Sequence, residues 1–149
     1  MKNLSSSFGL SLIKKLPSSI NTVQHANEEL VLIVPYTLVY QVLTFLKLHT
    51  NTQYKVLSDI TVVDFPEKEK RFEIVYNLLS VSFNTRIRLK TYINEMAALP
   101  TVSTIFPCAN WLEREIWDMY GVYFTQHNDL RRILTDYGFE GHPLRKDFP

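Results

Sequence analysis

Cys108 is the single cysteine in this chain of 149 residues. Iron–sulfur clusters are commonly held by about four thiolates, so this chain holds none by itself. An internal disulfide is excluded as well, which fits a reducing compartment. Cys108 reads as a buried, inert thiol. Glycine is also scarce. The four, at positions 9, 121, 138 and 141, form neither a Walker loop nor a dinucleotide fingerprint. The four histidines, at 25, 49, 127 and 142, show no close zinc-helix spacing. Sixteen basic and fifteen acidic residues leave a formal charge of +1. No global field therefore draws the chain to nucleic acid or anionic lipid. The most apolar stretch runs only from Leu30 to Tyr40 and is broken by Pro35. That is well short of the ~20 residues a membrane-spanning helix needs.

What remains is ordinary globular material, 46% hydrophobic and 21% charged, at a size that buries roughly 68–70% of the unfolded surface. Residues 1–27 contain no Asp or Glu, carry Lys2, Lys14 and Lys15, and are rich in serine at Ser5, Ser6, Ser7 and Ser11. An organelle transit peptide shares those features, but the first arginine is Arg71. The better reading is an amphipathic helix over about 8–16, with Leu10, Ile13 and Leu16 in one stripe and Pro17 as its stop. Leu30 to Val34 suits a buried strand, Pro35 opens a helix ending near His49, and Val56 to Phe65 is β-rich. Residues 72–92 alternate as a hairpin, Phe72, Ile74, Tyr76 and Leu78 answering Ile87 and Leu89, with Ser80 to Asn84 at the turn. Arg86, Arg88 and Lys90 line one side of the second strand. Such a row can read phosphates, but more often it is a solvated face, and Glu73 lies nearby in register. The sum predicts an α+β fold, a two-layer sandwich with helices on a largely antiparallel or mixed sheet.

A last helix is expected over about 110–120, with Gly121 as its C-terminal cap, closing a domain of residues 1–121. Within it Glu113 and Glu115 diverge by ~200° and cannot act as a carboxylate pair. Glu115 and Asp118 share a face and need a cation from elsewhere. Residues 122–149 then form an extended arm. It lacks periodicity yet holds Leu130, Ile133, Leu134, Tyr137, Phe139, Leu144 and Phe148, too apolar for a solvated tail. Two fates are open to it. It packs on its own domain, with Arg131 or Arg132 neutralising Glu115 and Asp118, or its mixed charges fix register on a partner.

The string Glu113-Arg114-Glu115-Ile116-Trp117-Asp118-Met119-Tyr120, then His127 and Leu130-Arg131-Arg132-Ile133-Leu134, resembles the signature of the 30-kilodalton subunit of respiratory complex I, the proton-pumping NADH:ubiquinone oxidoreductase. Thr135 to Pro149 continues the likeness, and Arg71 to Ser80 with Asn84 to Leu89 extends it back towards Leu30. Asn128 departs from the pattern, standing where the family usually has proline. The family pattern also runs on past Pro149, which implies a segment shed in this lineage or supplied by another polypeptide.

The resemblance implies a noncatalytic subunit of the peripheral arm near the quinone-reducing module, without cofactors of its own. FMN, iron–sulfur clusters and ubiquinone would sit on other subunits. The implied partners are the large 49-kilodalton-type subunit and neighbouring iron–sulfur subunits, with no nucleic acid and with membrane contact only through the complex. A mitochondrial version would lie on the matrix side of the inner membrane; a bacterial or chloroplast one would lie on the cytoplasmic or stromal face. The expected partner interface is Glu113, Arg114, Glu115, Asp118, His127, Arg131, Arg132, Asp136, Tyr137, His142, Arg145, Lys146 and Asp147. Two other readings compete: a hydrolase pairing Glu113 or Asp118 with His127, and an RNA-binding module using Arg86, Arg88 and Lys90.

Overall fold

Strict alternation along the central strands decides which side of the sheet meets the helices. The computed structural model describes residues 2–16, 20–26 and 29–149, and the side chains of all of these except 2–6, 25 and 26. In chain order the elements are α1 (Lys2–Lys15), β1 (Thr22–Ala26), β2 (Glu29–Ile33), a 3-10 turn (Tyr36–Leu38) and α2 (Val39–Leu48). They continue with β3 (Val56–Asp64), β4 (Phe72–Ser80), β5 (Thr85–Ile93), β6 (Ala98–Pro100), α3 (Ala109–Tyr120) and β7 (Tyr123–Thr125).

A five-stranded sheet runs β1-β2-β5-β4-β3, in which only β2 and β5 are parallel. The sheet is therefore mixed, and the fold is the expected α+β sandwich. Register sets Tyr76 opposite Leu89 and Leu78 opposite Ile87 on the inner face. There they join Leu30 and Leu32 of β2, Leu12 of α1, Val42, Leu43 and Leu46 of α2 and Ile116 of α3 in one core. Each such apolar side chain contributes roughly 1.5–3 kcal/mol when fully buried. The outer face carries the cations of β5, with Arg88 paired to Glu29 at 2.8 Å and Lys90 to Glu73 at 2.6 Å. Arg88 also donates to Asn77. Two of the three cations that could have read phosphates are thus neutralised on the sheet itself.

β6 and β7 form a separate parallel pair with α3 as the connection between them. This places the start of the arm beside the helix, with strand pairing running on to Thr125. Three details differ from the sequence reading. α1 begins earlier than residue 8, and Leu10 points outward, 61% exposed, while Leu12 fills the core. Phe8, Ile13 and Leu16 flank Leu12, so a stripe at spacing four replaces the one through Leu10. Pro17 lies outside the described residues, as does the side chain of His25. Cys108 is exposed rather than buried, because it stands at the N-cap of α3 with Ala109 as the first residue turned inward.

Candidate partner interface

Helix α3 owes its length to an inward stripe of Ala109, Ile116 and Met119. Its stop is Gly121, at φ +78°, whose N–H caps the Trp117 carbonyl at 2.9 Å. Three further C-terminal carbonyls lack helical partners, and the arm supplies all of them. His142 Nδ1 meets the Asp118 carbonyl at 3.1 Å, Leu144 N–H donates to Met119 at 3.1 Å, and Arg145 Nε donates to Tyr120 at 2.5 Å. The arm is therefore the C-terminal cap of this helix.

The charged residues of α3 hold the arm from the other side. The buried Asp118 carboxylate accepts the backbone N–H groups of Ile133 (3.2 Å), Leu134 (2.8 Å) and Thr135 (2.9 Å). It also accepts the Thr135 hydroxyl at 2.6 Å and pairs with Arg132 at 2.9 Å. Successive N–H groups make a concave anion seat. Burial pushes the Asp118 carboxyl up, but these donors outweigh it and hold it well below the usual carboxylate range. Arg132 continues to Thr135 and to the Gly141 carbonyl, with Phe139 stacked over its guanidinium at 5.8 Å. Arg114 Nε and Nη2 donate to the carbonyls of Arg131 and Arg132, each at 3.2 Å.

The far end of the arm is tied to the sheet edge. Arg71, itself buried, forks onto both oxygens of Asp64 at 2.7 and 3.0 Å and onto both oxygens of Asp147 at 2.8 and 3.1 Å. The Lys146 N–H completes Asp64 at 2.9 Å. Arg145 pairs with Glu95, which also approaches Arg71 at 3.5 Å. Between these anchors Leu134, Tyr137, Phe139, Leu144 and Phe148 turn outward, and Tyr137 is fully exposed. Polar atoms fasten the arm, and these five apolar side chains are left on the surface, while Val122, Phe124 and Leu130 pack on the core.

The expected interface residues thus divide. Glu113, Arg114 and Asp118 have buried side chains that are used within the chain. His127 has a fully buried side chain whose Nε2 meets the Asn110 carbonyl at 3.2 Å. Arg132, His142 and Arg145 fasten the arm, and Asp147 is held by Arg71. Glu115, Arg131, Asp136, Tyr137 and Lys146 stay exposed. Of the two cations offered for Asp118 it is Arg132 that arrives, while Arg131 pairs with its neighbour Asp129 at 2.9 Å. Glu113 and His127 do converge, at 3.6 Å, but both side chains are sealed from solvent and present no cleft to a substrate. The sequence reading missed Asp64, Arg71 and Glu95 altogether. No local pattern announces them, because Arg71 and Asp147 lie 76 positions apart. No group of three His, Cys, Asp or Glu side chains with metal-holding geometry occurs among the described residues.

The closeness of the cap makes Gly121 sensitive. A Cβ there would lie 2.6 Å from both Arg145 Nη2 and His142 Nε2, in a left-handed conformation that costs an L-residue roughly 1–2 kcal/mol. Gly121→Ala should lower stability by about 2 kcal/mol or more and expose residues 142–148 to protease. Unchanged urea midpoint and cleavage pattern would count against the cap.

The chain is similar, with a TM-score of 0.78 and 30% identity, to one in the structure of the membrane-bound sulfane sulfur reductase, an archaeal respiratory membrane complex, covering 97% of this chain and 85% of that one. Residues 32–149 match the respiratory-chain NADH dehydrogenase 30 Kd subunit, and the chain belongs to that family. It is 58% identical over 142 residues to NADH-ubiquinone oxidoreductase subunit 9 of Reclinomonas americana, covering 95% of this chain and 70% of that protein. Identity is 51% over 142 residues, again 95% of this chain, with the mitochondrial NADH-ubiquinone oxidoreductase 30.4 kDa subunit of Neurospora crassa, of which the chain spans 50%.

Proposed function

We propose that the chain is a noncatalytic structural and assembly subunit of proton-pumping NADH:ubiquinone oxidoreductase, complex I, in its peripheral arm near the quinone-reducing module. It supports electron transfer from NADH to ubiquinone without holding a cofactor, and FMN, iron–sulfur clusters and ubiquinone belong to other subunits. Its main partner is the large 49-kilodalton-type subunit, with neighbouring iron–sulfur subunits beside it. In this reading the chain lies on the matrix face of the inner membrane, and a relative named as mitochondrial supports the organelle. No described helix is long and apolar enough to cross a membrane.

One observation carries the docking role: the arm is fastened by polar groups while Leu134, Tyr137 and Leu144 remain on its outer side. Apolar groups rigidly presented in this way are suited to a partner's pocket. Tyr137 touches nothing that its loss would unfold, so Tyr137→Ala should change the stability of the free chain by no more than about 0.5 kcal/mol. With Leu134→Ala it should nevertheless reduce the complex I recovered on native gels in mild detergent. Glu115→Lys and Arg131→Glu, on the exposed polar margin, should act in the same direction more weakly. Normal assembly in all of these variants would overturn the docking role.

A further inference from the structure

The centre of α3 holds a second arrangement that fastening the arm does not use. Glu113 is completely buried. Its Oε2 accepts the Thr101 hydroxyl at 2.5 Å and its Oε1 accepts the Val102 N–H at 2.7 Å. Among the described residues no lysine or arginine lies within ion-pair distance of it. The facing groups are His127 at the root of the arm and Tyr76 from β4, while Lys47 of α2 donates to the Ile105 carbonyl of the same loop.

His127 meets Glu113 through one ring nitrogen only. Its Nδ1 accepts the Asp129 N–H at 3.1 Å, which leaves the ring proton on Nε2, shared between the Asn110 carbonyl at 3.2 Å and Glu113 at 3.6 Å. Nδ1 is thus occupied as an acceptor, and only Nε2 is turned towards Glu113. The Tyr76 hydroxyl is buried with no hydrogen-bond partner, so β4 brings no opposite charge. A carboxylate so placed is poorly compensated, and burial, against the pull of Thr101 and Val102, pushes the Glu113 carboxyl up to about 7.

A path connects this acid to water. The Thr101 hydroxyl spends its proton on Glu113, so at 2.8 Å it is Ser103 Oγ that donates to Thr101 Oγ1. Ser103 lines an open groove of about 380 Å³ with Thr104, Pro107, Asn110, Trp111 and Asn128. A proton arriving at Ser103 Oγ releases that hydroxyl's own proton to Thr101, whose proton passes to Oε2 of Glu113. Each hydroxyl gains one proton and gives one, so a single proton moves from groove to carboxylate.

We propose that Glu113 is a proton-binding site of the folded chain, filled and emptied from the groove beside Trp111 through Ser103 and Thr101, whose charge sets how firmly residues 101–106 and the His127 segment are held on α3. The proposal stands whatever the arm binds. The folded chain keeps a proton that the unfolded chain sheds at lower pH. Stability from this group is therefore full below the ordinary Glu value and is lost as pH rises towards about 7.

The test uses the full chain with carboxyl-13C glutamate. One resonance should titrate near neutrality and vanish in Glu113→Gln, and the Gln variant should lose the wild-type fall in melting temperature across that range. If no glutamate of the wild-type chain titrates above about pH 6, the proposal fails without reference to any variant. For the relay, the infrared band of the protonated carboxyl should shift more slowly after transfer to D2O in Thr101→Val. Ser103→Ala, a milder change at the groove, should slow it as well. Wild-type exchange rates in both variants would overturn the route.

Discussion

Replacing Asp118 by alanine should detach the arm and lower the free energy that holds it by about 3–5 kcal/mol, the range for removing one partner of a buried ionic network. The substitution strips the acceptor from three backbone N–H groups, one hydroxyl and Arg132 in a single step. One effect opposes the loss: a carboxylate near a helix C-terminus is unfavourable by about 0.3–1 kcal/mol, and its removal recovers that much. The recovery is several times too small to decide the outcome. Because the arm lies on the surface, its freed N–H groups can turn to water, so the arm should open while the sheet and core stay folded. Amide exchange read by mass spectrometry should show residues 131–148 losing protection while β4 and β5 keep theirs. Asp118→Asn should open the arm too, since its amide nitrogen would face donors. Acid should mimic both changes. The Asp118 carboxyl is held below the ordinary aspartate value, so its contribution is present above that value and disappears as pH falls through the lower, folded one. Unchanged protection of 131–148 in Asp118→Ala would remove the seat from the account.

The contrast between β4 and the arm explains how much of this was legible in the sequence. Phe72, Ile74, Tyr76 and Leu78 repeat at period two, and a period that sorts residues onto two faces is local information. The hairpin, α2 and α3 were found for that reason, and Gly121 marked the helix end because only one conformation was needed there. Strands β1, β6 and β7 went unseen, since five or three residues such as Ala98–Pro100 are too few to show a period. The arm was recognised as too apolar to float, but not how it is held. Its anchors are backbone N–H groups of residues 133–135, helix carbonyls and a distant arginine, none of which leaves a side-chain pattern. The charged face of α3 misled for a related reason. Glu113 and Asp118 look like surface residues by type, yet both are buried because loop and arm bring hydrogen-bond donors to them. Outward charge on a helix can be inferred from spacing only when nothing later in the chain folds over it.

Arg71→Met should be the costliest single change at the sheet edge. Among the described residues Arg71 is the sole cation on Asp64, which is 3% exposed and would keep only the Lys146 N–H. An uncompensated buried carboxylate of this kind costs about 3–5 kcal/mol, and methionine fills the stem volume without restoring charge. The arm would lose its second anchor at the same time, because Asp147 has its fork from the same guanidinium. The direct attraction separates from the penalty of stranding Asp64 in a double-mutant cycle with Asp64→Leu. If the penalty dominates, Arg71→Met with Asp64→Leu should recover most of the urea midpoint lost in Arg71→Met alone, since two apolar groups replace a pair whose desolvation was already expensive. Strictly additive losses would mean that the residues do not act as a unit. pH gives an independent reading. The Arg71 hydrogen bonds hold the Asp64 carboxyl below the usual range, so wild-type stability from this pair is lost only as pH falls through that lowered value. In Arg71→Met the burial of Asp64 is no longer opposed by an arginine, and its carboxyl should rise. The acid limb of the stability curve should then begin at higher pH, and residues 145–149 should be cut by protease before the hairpin is.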